Sequence, residues 1–397
     1  MRLTLPRLNA AYIIGAARTP VGKFNGALKS VSAIDLGITA AKAAVQRSKV
    51  PADQIDEFLF GQVLTANSGQ APARQVVIKG GFPESVEAMT INKVCSSGLK
   101  TVAMAAQAIK AGDRNIVVAG GMESMSNTPY YSGRGLVFGN QKLEDSIVKD
   151  GLWDPYNNIH MGNCCENTNK RDGITREQQD EYAIESYRRA NESITNGAFK
   201  DEIVPVEIKT RKGTVTVSED EEPKGYNADK LKGLKPVFDK QGSVTAGNAS
   251  PINDGASCVV VASGTKAKEL GSPVLAKVVA YADAATAPID FTIAPSLAIP
   301  AALEKAGLKK EDIALWEINE AFSGVALANL MRLGIDKSKV NVKGGAVAIG
   351  HPIGASGNRI FVTLVNALKE GEYGVAAICN GGGAATAVVI KKVSSVE

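Results

Sequence analysis

The chain has 397 residues, of which 44% are hydrophobic and 22% charged, with a formal net charge of +4. This balance is typical of a soluble globular protein with a sizeable core, and the small, scattered positive excess argues against a nucleic-acid partner. No apolar run reaches the ~18 residues of a transmembrane helix, so no membrane partner is expected.

Five cysteines occur without a signal-peptide pattern, which predicts reduced thiols in a cytosol-like compartment. The opening segment, MRLTLPRLNA, carries two arginines and no acid but is too short for a convincing transit peptide. The final residues, SSVE, are not a peroxisomal tripeptide. We therefore expect a cytoplasmic protein, with the mitochondrion as the alternative.

Two segments, starting at Cys95 and at Gly354, share one pattern. Each has a Ser-Gly pair, a helix-like stretch, a glycine stop, a short apolar strand and a Gly-Gly turn. A weaker match lies upstream of each copy, between residues 38–64 and 298–322. Duplicated βαβα units predict an α/β fold with two similar halves packed together.

The segment between the repeats, residues 124–248, is richer in Tyr, Asn, Gln and charged residues. We predict that it is an insertion, with an N-terminal half formed by residues 1–123 and 249–273 and a C-terminal half formed by residues 274–397. Insertions on α/β scaffolds often build the substrate site. The alternative is a surface excursion without function.

Cys95, in KVCSSGLK, lies at a predicted strand-to-helix turn, and ligands of parallel α/β sheets bind beyond the carboxyl ends of the strands. The start of a helix favours an anion, so we expect the pKa of this thiol to be lowered. The alternative is a buried cysteine that only fills space.

His351, one of two histidines, lies in the glycine-rich stretch GGAVAIGHPIGASG at the head of the matching helix. A pseudo-twofold axis between the halves would bring this loop to Cys95, as a base beside a nucleophile. The more general alternative is a structural histidine.

A second thiol, Cys379, ends the repeated strand in ICNGGGAAT, where glycines 381–383 could turn N–H groups toward an oxyanion. Asn319 ends another predicted strand, in WEINEAF. The cysteine spacing does not support a zinc site, and the patterns of dinucleotide and nucleoside triphosphate sites are missing.

Five motifs, in the order KVCSSGLK, GGMESMS, NEAF, GGAVAIGHPIGASG and CNGGGAAT, resemble those of the thiolases. The likeness covers nearly the whole chain, and HMGNCCENTNK, with His160, is similar to the acetoacetyl-CoA thiolases. The resemblance implies a five-layer α-β-α-β-α fold with two duplicated halves, an inserted loop domain that binds CoA, and a homotetramer. The implied reaction is the reversible condensation of two acetyl-CoA to acetoacetyl-CoA and CoA, which opens the mevalonate and sterol pathway, and it needs no organic cofactor.

The same resemblance implies the roles of the site residues. Cys95 would carry the acetyl group, His351 would activate it, and Cys379 would move the proton at C2 of the second acetyl-CoA. Asn319 would hold a water that stabilises one oxyanion with His351, and the N–H groups of Cys95 and Gly381 would hold the other.

Substrate contacts are implied in the same way for His160 and Phe322, with Ser250 near the pantetheine and Lys230 near the nucleotide phosphates. An arginine that the family pattern has nearby is Gly225 here, which departs from the pattern. A potassium ion is also implied, and the positions that correspond to its ligands are Tyr187, Ala246, Gly247, Ala249 and Val347.

Three rival interpretations remain open. A degradative 3-ketoacyl-CoA thiolase would need a wider acyl pocket. A non-catalytic acyl-CoA-binding scaffold would not need both thiols and His351. A cysteine hydrolase using Cys95 and His351 would leave the second thiol and the doubled architecture without a role.

Overall fold

The computed structural model describes residues 9–135 and 138–397. Residues 1–8, on which most of the transit-peptide prediction falls, lie outside this part of the chain. None of the helices in the two described ranges is both long enough and apolar enough to span a bilayer.

The regular elements alternate along the chain, as the repeat predicts. The strands are β1 (Ala11–Arg18), β2 (Gly22–Lys23), β3 (Glu57–Gly61), β4 (Glu87–Ile91), β5 (Ile116–Ser124), β6 (Tyr130–Tyr131), β7 (Glu144–Asp145), β8 (Trp153–Asp154), β9 (Ile159–His160), β10 (Val206–Thr210), β11 (Gly213–Val217), β12 (Asn253–Ser263), β13 (Ala276–Ala285), β14 (Ile313–Ile318), β15 (Tyr373–Asn380) and β16 (Ala384–Lys392). The α-helices are α1 (Ala33–Ser48), α2 (Pro72–Gly80), α3 (Ser97–Ala111), α4 (Met161–Asp172), α5 (Arg176–Thr195), α6 (Ala228–Lys232), α7 (Gly264–Glu269), α8 (Pro295–Ala306), α9 (Ser323–Leu333), α10 (Ala346–Ile349) and α11 (Ile353–Ala367).

The large sheet has the strand order β14-β15-β16-β13-β1-β12-β5-β3-β4. The sheet contains the same four-strand arrangement twice, since the spatial order β1-β12-β5-β3 in one half corresponds to β13-β16-β15-β14 in the other. Corresponding strands also occupy corresponding places along the two halves of the chain. β3 and β5 pair in parallel, as do β14 and β15, whereas β12 and β16 are antiparallel to their neighbours. The halves join where Ala11–Ile13 pair with Ala276–Val278, a connection that the repeat alone does not predict.

Helices α3 and α11 pack against each other between the two halves of the sheet, and α1 and α8 cover the outer faces. The Ser-Gly pairs of the repeat explain this contact. A Cβ on Gly98 would lie 2.9 Å from the carbonyl oxygen of Gly354, and a Cβ on Gly357 would lie 2.6 Å from the backbone nitrogen of Leu99. Only glycine lets the backbones of these two helices approach so closely. The predicted pair of α/β halves is therefore present, with the starts of α3 and α11 side by side.

Segment 124–248 is anchored on the N-terminal half by a buried ion cluster. The Nε of Arg18 in β1 donates to Glu202 at 2.8 Å, and its Nη atoms donate to both carboxylate oxygens of Asp220, at 2.7 and 2.9 Å. All three side chains are fully buried. Since a bidentate pair fixes both distance and orientation, Arg18 sets where the segment lies over the sheet.

We expect Arg18→Ala to lower the free energy of unfolding by about 3–5 kcal/mol, because Asp220 and Glu202 would stay in the core without the cation that hydrogen-bonds to both, with only Lys343 left at 3.9 Å from Glu202. Urea unfolding followed by circular dichroism measures this change. Arg188→Ala is the control, since Arg188 pairs with Glu185 and Glu192 at the surface and its loss should leave the midpoint unchanged. Equal midpoints for the two variants would show that the buried cluster does not stabilise the fold.

Candidate active site

The turn that carries Cys95 is held in a strained conformation. Val94 has a φ of 48°, a left-handed value that a β-branched side chain rarely adopts. The side-chain oxygen of Asn92 accepts from the Val94 N–H at 3.0 Å. The Ser97 hydroxyl accepts from the Lys93 N–H at 2.8 Å and donates to the Val94 carbonyl. These bonds direct Cys95 away from the strand, just before α3.

The same turn is tied to the end of β15. The Ser96 hydroxyl lies 3.0 Å from the carbonyl of Ile378 and 2.8 Å from the side-chain oxygen of Asn380, two acceptors that share its one hydrogen. Cys379, which lies between those two residues, is fully buried. The N–H of Gly381 faces the Cys95 thiol. The structure therefore brings Cys95, Cys379 and Gly381 together from opposite halves of the chain.

The expectation that the helix start lowers the pKa of Cys95 is wrong. Burial raises the pKa of Cys95 to about 11, and the N–H groups of Gly381 and of Cys95 itself offset only part of that effect. The thiol is 9% exposed, and a thiolate loses most of its hydration there. Cys95 is therefore a neutral thiol at rest, so its proton must leave as the sulfur attacks.

This pKa predicts a pH dependence of Cys95 alkylation. Only the thiolate reacts, so the rate with iodoacetamide should rise about tenfold per pH unit from pH 7 to 10, with no plateau below the folded-state pKa. Peptide mass mapping after timed labelling measures the rate at Cys95. The other four cysteines are fully buried and act as internal controls. A plateau near pH 7 would mean that the N–H groups outweigh burial.

His351 is presented by a loop whose hydrogen bonds fix its tautomer. The Ser356 hydroxyl lies 2.6 Å from His351 Nδ1 and 2.9 Å from the carbonyl of Pro352. The hydroxyl has a single hydrogen, and the Pro352 carbonyl can only accept, so we assign that hydrogen to the carbonyl and a proton to Nδ1. Nε2 then carries a lone pair that can accept a proton. Burial, and then the charge of Arg359, lower the pKa of His351 to about 3, which leaves a neutral imidazole that can take a proton.

Asn319 lies beside this imidazole. Its Nδ2 is 3.5 Å from His351 Nε2, and its backbone N–H donates to Ala377 at 3.0 Å. Its Oδ1 is buried without a hydrogen-bond partner among the described residues. A buried carbonyl oxygen of this kind is a ready acceptor for a water. The neighbouring Glu320 accepts instead from Tyr182 and Ser186, on α5.

A cavity of about 480 Å³ opens at the Cys95 thiol, within the size range of small-molecule sites. Asn319 and Cys379 lie behind its wall, 1% and 0% exposed. An adjoining cavity of about 220 Å³ is lined by Lys23 and by residues between 187 and 247 of the segment, among them Lys230. The predicted residues on the wall of the large cavity are Cys95, His160, Ala246, Ala249, Ser250, Phe322 and His351. Those on the wall of the small cavity are Tyr187, Lys230, Ala246 and Gly247. Val347 packs with Tyr187 in a small buried cluster behind that wall.

Aromatic side chains close the large cavity on one side. The His160 ring stacks on Phe238 with centroids 4.6 Å apart, and Phe238 meets the edge of Phe322 at 6.2 Å. Nδ1 of His160 accepts from the Gly162 N–H at 3.1 Å, and burial lowers the pKa of His160. Its Nε2 therefore carries the proton and can donate to a ligand. Ser250 donates its hydroxyl to the Ala321 carbonyl at 2.8 Å, which leaves its lone pairs to accept.

Sequence reasoning did not assign two groups that hold the site. Ser356 belongs to the repeated Ser-Gly pair, yet the repeat gives no sign that its hydroxyl meets His351. Glu123, in GGMESMS, is fully buried and accepts from the N–H groups of Val63, Leu64 and Gly354 at 2.9–3.2 Å. The signal available in the sequence was an acidic residue within an otherwise apolar, glycine-containing strand. Glu123 fastens the start of α11 to β5.

Two family models match the chain. One, described as "Thiolase, N-terminal domain", covers residues 11–265, and the other, "Thiolase, C-terminal domain", covers residues 272–392. The chain belongs to the thiolase family. The predicted family is thus confirmed. The boundary between the two matched regions falls between β12 and β13, which belong to different repeats of the sheet.

Thiolases of known name resemble the whole chain. An acetyl-CoA acetyltransferase of Yarrowia lipolytica is 96% identical, with all of both chains covered. A mitochondrial acetyl-CoA acetyltransferase of Gibberella zeae is 56% identical over 98% of this chain and 92% of its own. The crystal structure of the Acat5 thiolase of Ascaris suum in complex with coenzyme A has a TM-score of 0.93 and 51% identity, and covers 97% of this chain and 100% of its own. These matches confirm the predicted thiolase fold.

Proposed function

We propose that this thiolase is an acetyl-CoA acetyltransferase, which reversibly condenses two acetyl-CoA into acetoacetyl-CoA and CoA. The observation that carries the proposal is the convergence of Cys95, His351 and the Gly381 N–H at one apolar cavity. The name of the Yarrowia lipolytica relative, 96% identical over the full chain, supports the same reaction. The proposed substrates and products are therefore acetyl-CoA, acetoacetyl-CoA and CoA.

In the first proposed half-reaction, the Cys95 sulfur attacks the thioester carbonyl of acetyl-CoA while its proton passes to His351 Nε2. The N–H groups of Cys95 and Gly381 hold the developing oxyanion. The bond from the carbonyl carbon to the CoA sulfur then breaks, and the proton on His351 goes to the leaving CoA thiolate. Acetyl-Cys95 and free CoA result, so ping-pong kinetics are expected.

In the second half-reaction, the Cys379 thiol gives its proton to His351, which is neutral again, and the resulting thiolate takes a proton from C2 of another acetyl-CoA. Burial, and then the nearby Cys95, raise the pKa of Cys379, so its thiolate is a strong base for a weakly acidic C–H. A water held by Asn319 Oδ1 would stabilise the enolate oxygen together with His351. The enolate carbon attacks acetyl-Cys95, a C–C bond forms, and the Cys95 sulfur leaves and takes the proton held by His351, so both thiols and the neutral imidazole are restored. These steps use groups of the chain and its substrates alone, so they need no organic cofactor.

Segment 124–248 is proposed to be an insertion that binds CoA. The N-terminal half then consists of residues 1–123 and 249–273, and the C-terminal half consists of residues 274–397. Ser250 and His160 line the large cavity, where pantetheine and thioester oxygens would lie. Lys230 is exposed on α6 beside the small cavity, where its charge would suit phosphates. Phe322 is proposed to limit the acyl group.

The proposed potassium site fits the donors present near Tyr187. In the part of the chain that the structure describes, the carbonyl oxygens of Ala246, Gly247 and Ala249 accept no hydrogen bond, and the buried hydroxyl of Tyr226, stacked on Tyr187, has no partner. Neutral oxygens of this kind suit a monovalent cation. The Val347 carbonyl would complete the set. A bound cation would order the loop 245–250 that leads to Ser250.

A homotetramer is also proposed. β4 is the end strand of the large sheet, with only β3 as a partner in the described ranges, and Met89 on it is 48% exposed. An unpaired edge of this kind favours pairing with a second copy. A further exposed apolar surface comes from Tyr130, Leu143, Val148, Trp153 and Tyr156. Sedimentation velocity at several concentrations tests this proposal.

The cellular role is proposed as the first step of the mevalonate and sterol pathway, in the cytoplasm. The name of the 96% identical relative gives no location, whereas the Gibberella zeae relative is named as mitochondrial. The mitochondrion therefore stays the alternative, and microscopy of the tagged full chain would decide between them.

The acyl specificity tests the proposed reaction. We expect kcat/KM for thiolysis to be at least about 10-fold higher with acetoacetyl-CoA than with 3-ketohexanoyl-CoA, because the rings of Phe322 and Phe238 line the same cavity as Cys95 and would limit the length of the acyl group. Loss of the 3-ketoacyl-CoA absorbance gives both rates. Phe322→Ala should bring the ratio of the two kcat/KM values closer to one. Rates that stay equal or rise with chain length in the unmodified protein would instead identify a degradative thiolase.

A further inference from the structure

The loop of His351 rests on a residue to which the reaction gives no role. Asn253, the first residue of β12, is fully buried. Its Oδ1 accepts from the backbone N–H of His351 at 2.9 Å. Its Nδ2 donates to the Gly22 carbonyl at 2.9 Å and to Glu222 Oε1 at 3.1 Å. This pattern fixes the orientation of the amide, because one partner is a donor and the other two are acceptors.

The backbone before His351 lies directly on this carboxamide. Gly350 has a φ of 113°, and a Cβ at that position would come within 2.5 Å of both Cγ and Oδ1 of Asn253. Since the imidazole is fixed at its other end by Ser356, Asn253 and Ser356 together determine where Nε2 points. A shift of the peptide between residues 350 and 351 would move Nε2 away from the Cys95 side of the cavity.

Glu222, the third hydrogen-bond partner of Asn253, is part of segment 124–248. Each of three consecutive acids there has a separate anchor on the N-terminal half. Asp220 binds Arg18, Glu221 accepts from the Lys23 N–H at 2.9 Å, and Glu222 accepts from Asn253. Glu222 also lines both cavities. The hydrogen bonds thus run without a break from the wall of the proposed CoA site, through Asn253, to the backbone of His351.

We propose that Asn253 is a positioning residue for His351, oriented by Glu222, and that it couples the placement of segment 124–248 to that of the catalytic base. This inference rests on the proposed function, because it takes His351 as the base. Asn253 hydrogen-bonds to the backbone of His351 and Glu222 hydrogen-bonds to Asn253, so the proposed effect of both residues on kcat is through the histidine.

The test exchanges the hydrogen-bonding groups of this pair. In Asn253→Asp, one carboxylate oxygen still accepts from His351, but the other faces the Gly22 carbonyl and the Glu222 carboxylate, two acceptors where a donor is needed. We expect kcat to fall about 100-fold, as for a displaced catalytic group, with KM changed less than about threefold. Glu222→Gln alone can still accept from Asn253 and should lose about threefold.

The double variant Asn253→Asp with Glu222→Gln provides the rescue. The new glutamine amide can donate to the aspartate, so kcat should recover at least about 10-fold over Asn253→Asp. A role confined to stability would not give this recovery at equal folded fraction, so kcat is divided by the folded fraction measured by circular dichroism for each variant. Asn366→Asp is the matched control, since Asn366 lies near the far end of α11 and donates to Val362, and it should keep the activity of the unmodified protein.

Two results would overturn the inference. One is a kcat for folded Asn253→Asp within about threefold of the unmodified protein, and the other is a double variant no better than the single one. If Asn253→Asp does not fold, Asn253→Ser, which cannot reach the His351 N–H, must show the same 100-fold fall for the inference to stand. Acetylation of Cys95 in the unmodified protein is measured in parallel, because its failure would reject the proposed function instead.

Discussion

Cys95→Ser is expected to lower kcat for both condensation and thiolysis by at least about 1,000-fold. The cavity raises the pKa of the thiol to about 11, and the same burial would act on a serine hydroxyl that is already far less acidic. His351 would then have to remove a proton from a much weaker acid as the bond to the acyl carbon forms. Coupled assays of acetoacetyl-CoA formation and of its thiolysis measure the loss in both directions.

Cys258→Ser is the matched control for that loss. Cys258 is a fully buried cysteine on β12 with no contact to the cavity, so its replacement should leave kcat within about threefold. A Cys95→Ser protein with more than a tenth of the original kcat would reject Cys95 as the nucleophile. The non-catalytic scaffold, or another thiol, would then become the better interpretation.

Cys379→Ser is expected to separate the two half-reactions. Acetylation of Cys95 needs His351 and the N–H groups of Cys95 and Gly381, all of which the variant keeps, so it should proceed within about tenfold of the original rate. Condensation needs a base at C2 and should fall by at least about 1,000-fold. Exchange of labelled CoA into acetyl-CoA reports the first step, and acetoacetyl-CoA formation reports the second.

The pattern of loss decides the role of Cys379. Equal loss of exchange and of condensation would mean that this thiol supports the geometry around Cys95, to which Ser96 ties its strand. Loss of neither would leave the C2 proton without an assigned base. Loss of condensation alone assigns the proton transfer to Cys379.

The duplicated α/β fold could be predicted from sequence because local rules repeat in it. Glycine stops, apolar strands and the Ser-Gly pairs occur at the same places in both halves, and the close contact of Gly98 and Gly357 explains those pairs. The positions of Cys95 and His351 at the starts of paired helices follow from the same repeat. The pairing of β1 with β13 could not be predicted from the repeat, because it depends on how the two halves pack against each other.

The electrostatics of the site could not be predicted in this way. The sequence places Cys95 before a helix, which favours a thiolate, but the burial that reverses this effect comes from a hydrophobic cluster of residues far apart in the chain, such as Leu64, Ile353 and Ile378. Ser356 and Asn253 are likewise ordinary polar residues until the fold brings them to His351. Their importance depends on distances of 2.6 and 2.9 Å that no spacing in the sequence encodes.

The most direct test of the central claim is mass spectrometry of the intact protein after brief exposure to acetyl-CoA, in the unmodified chain, Cys95→Ser and Cys379→Ser. We predict one acetyl group, mapped to Cys95, in the unmodified chain and in Cys379→Ser, and none in Cys95→Ser. An unmodified chain that binds CoA but gains no acetyl group, or that carries it on another residue, would contradict acetyl transfer through Cys95.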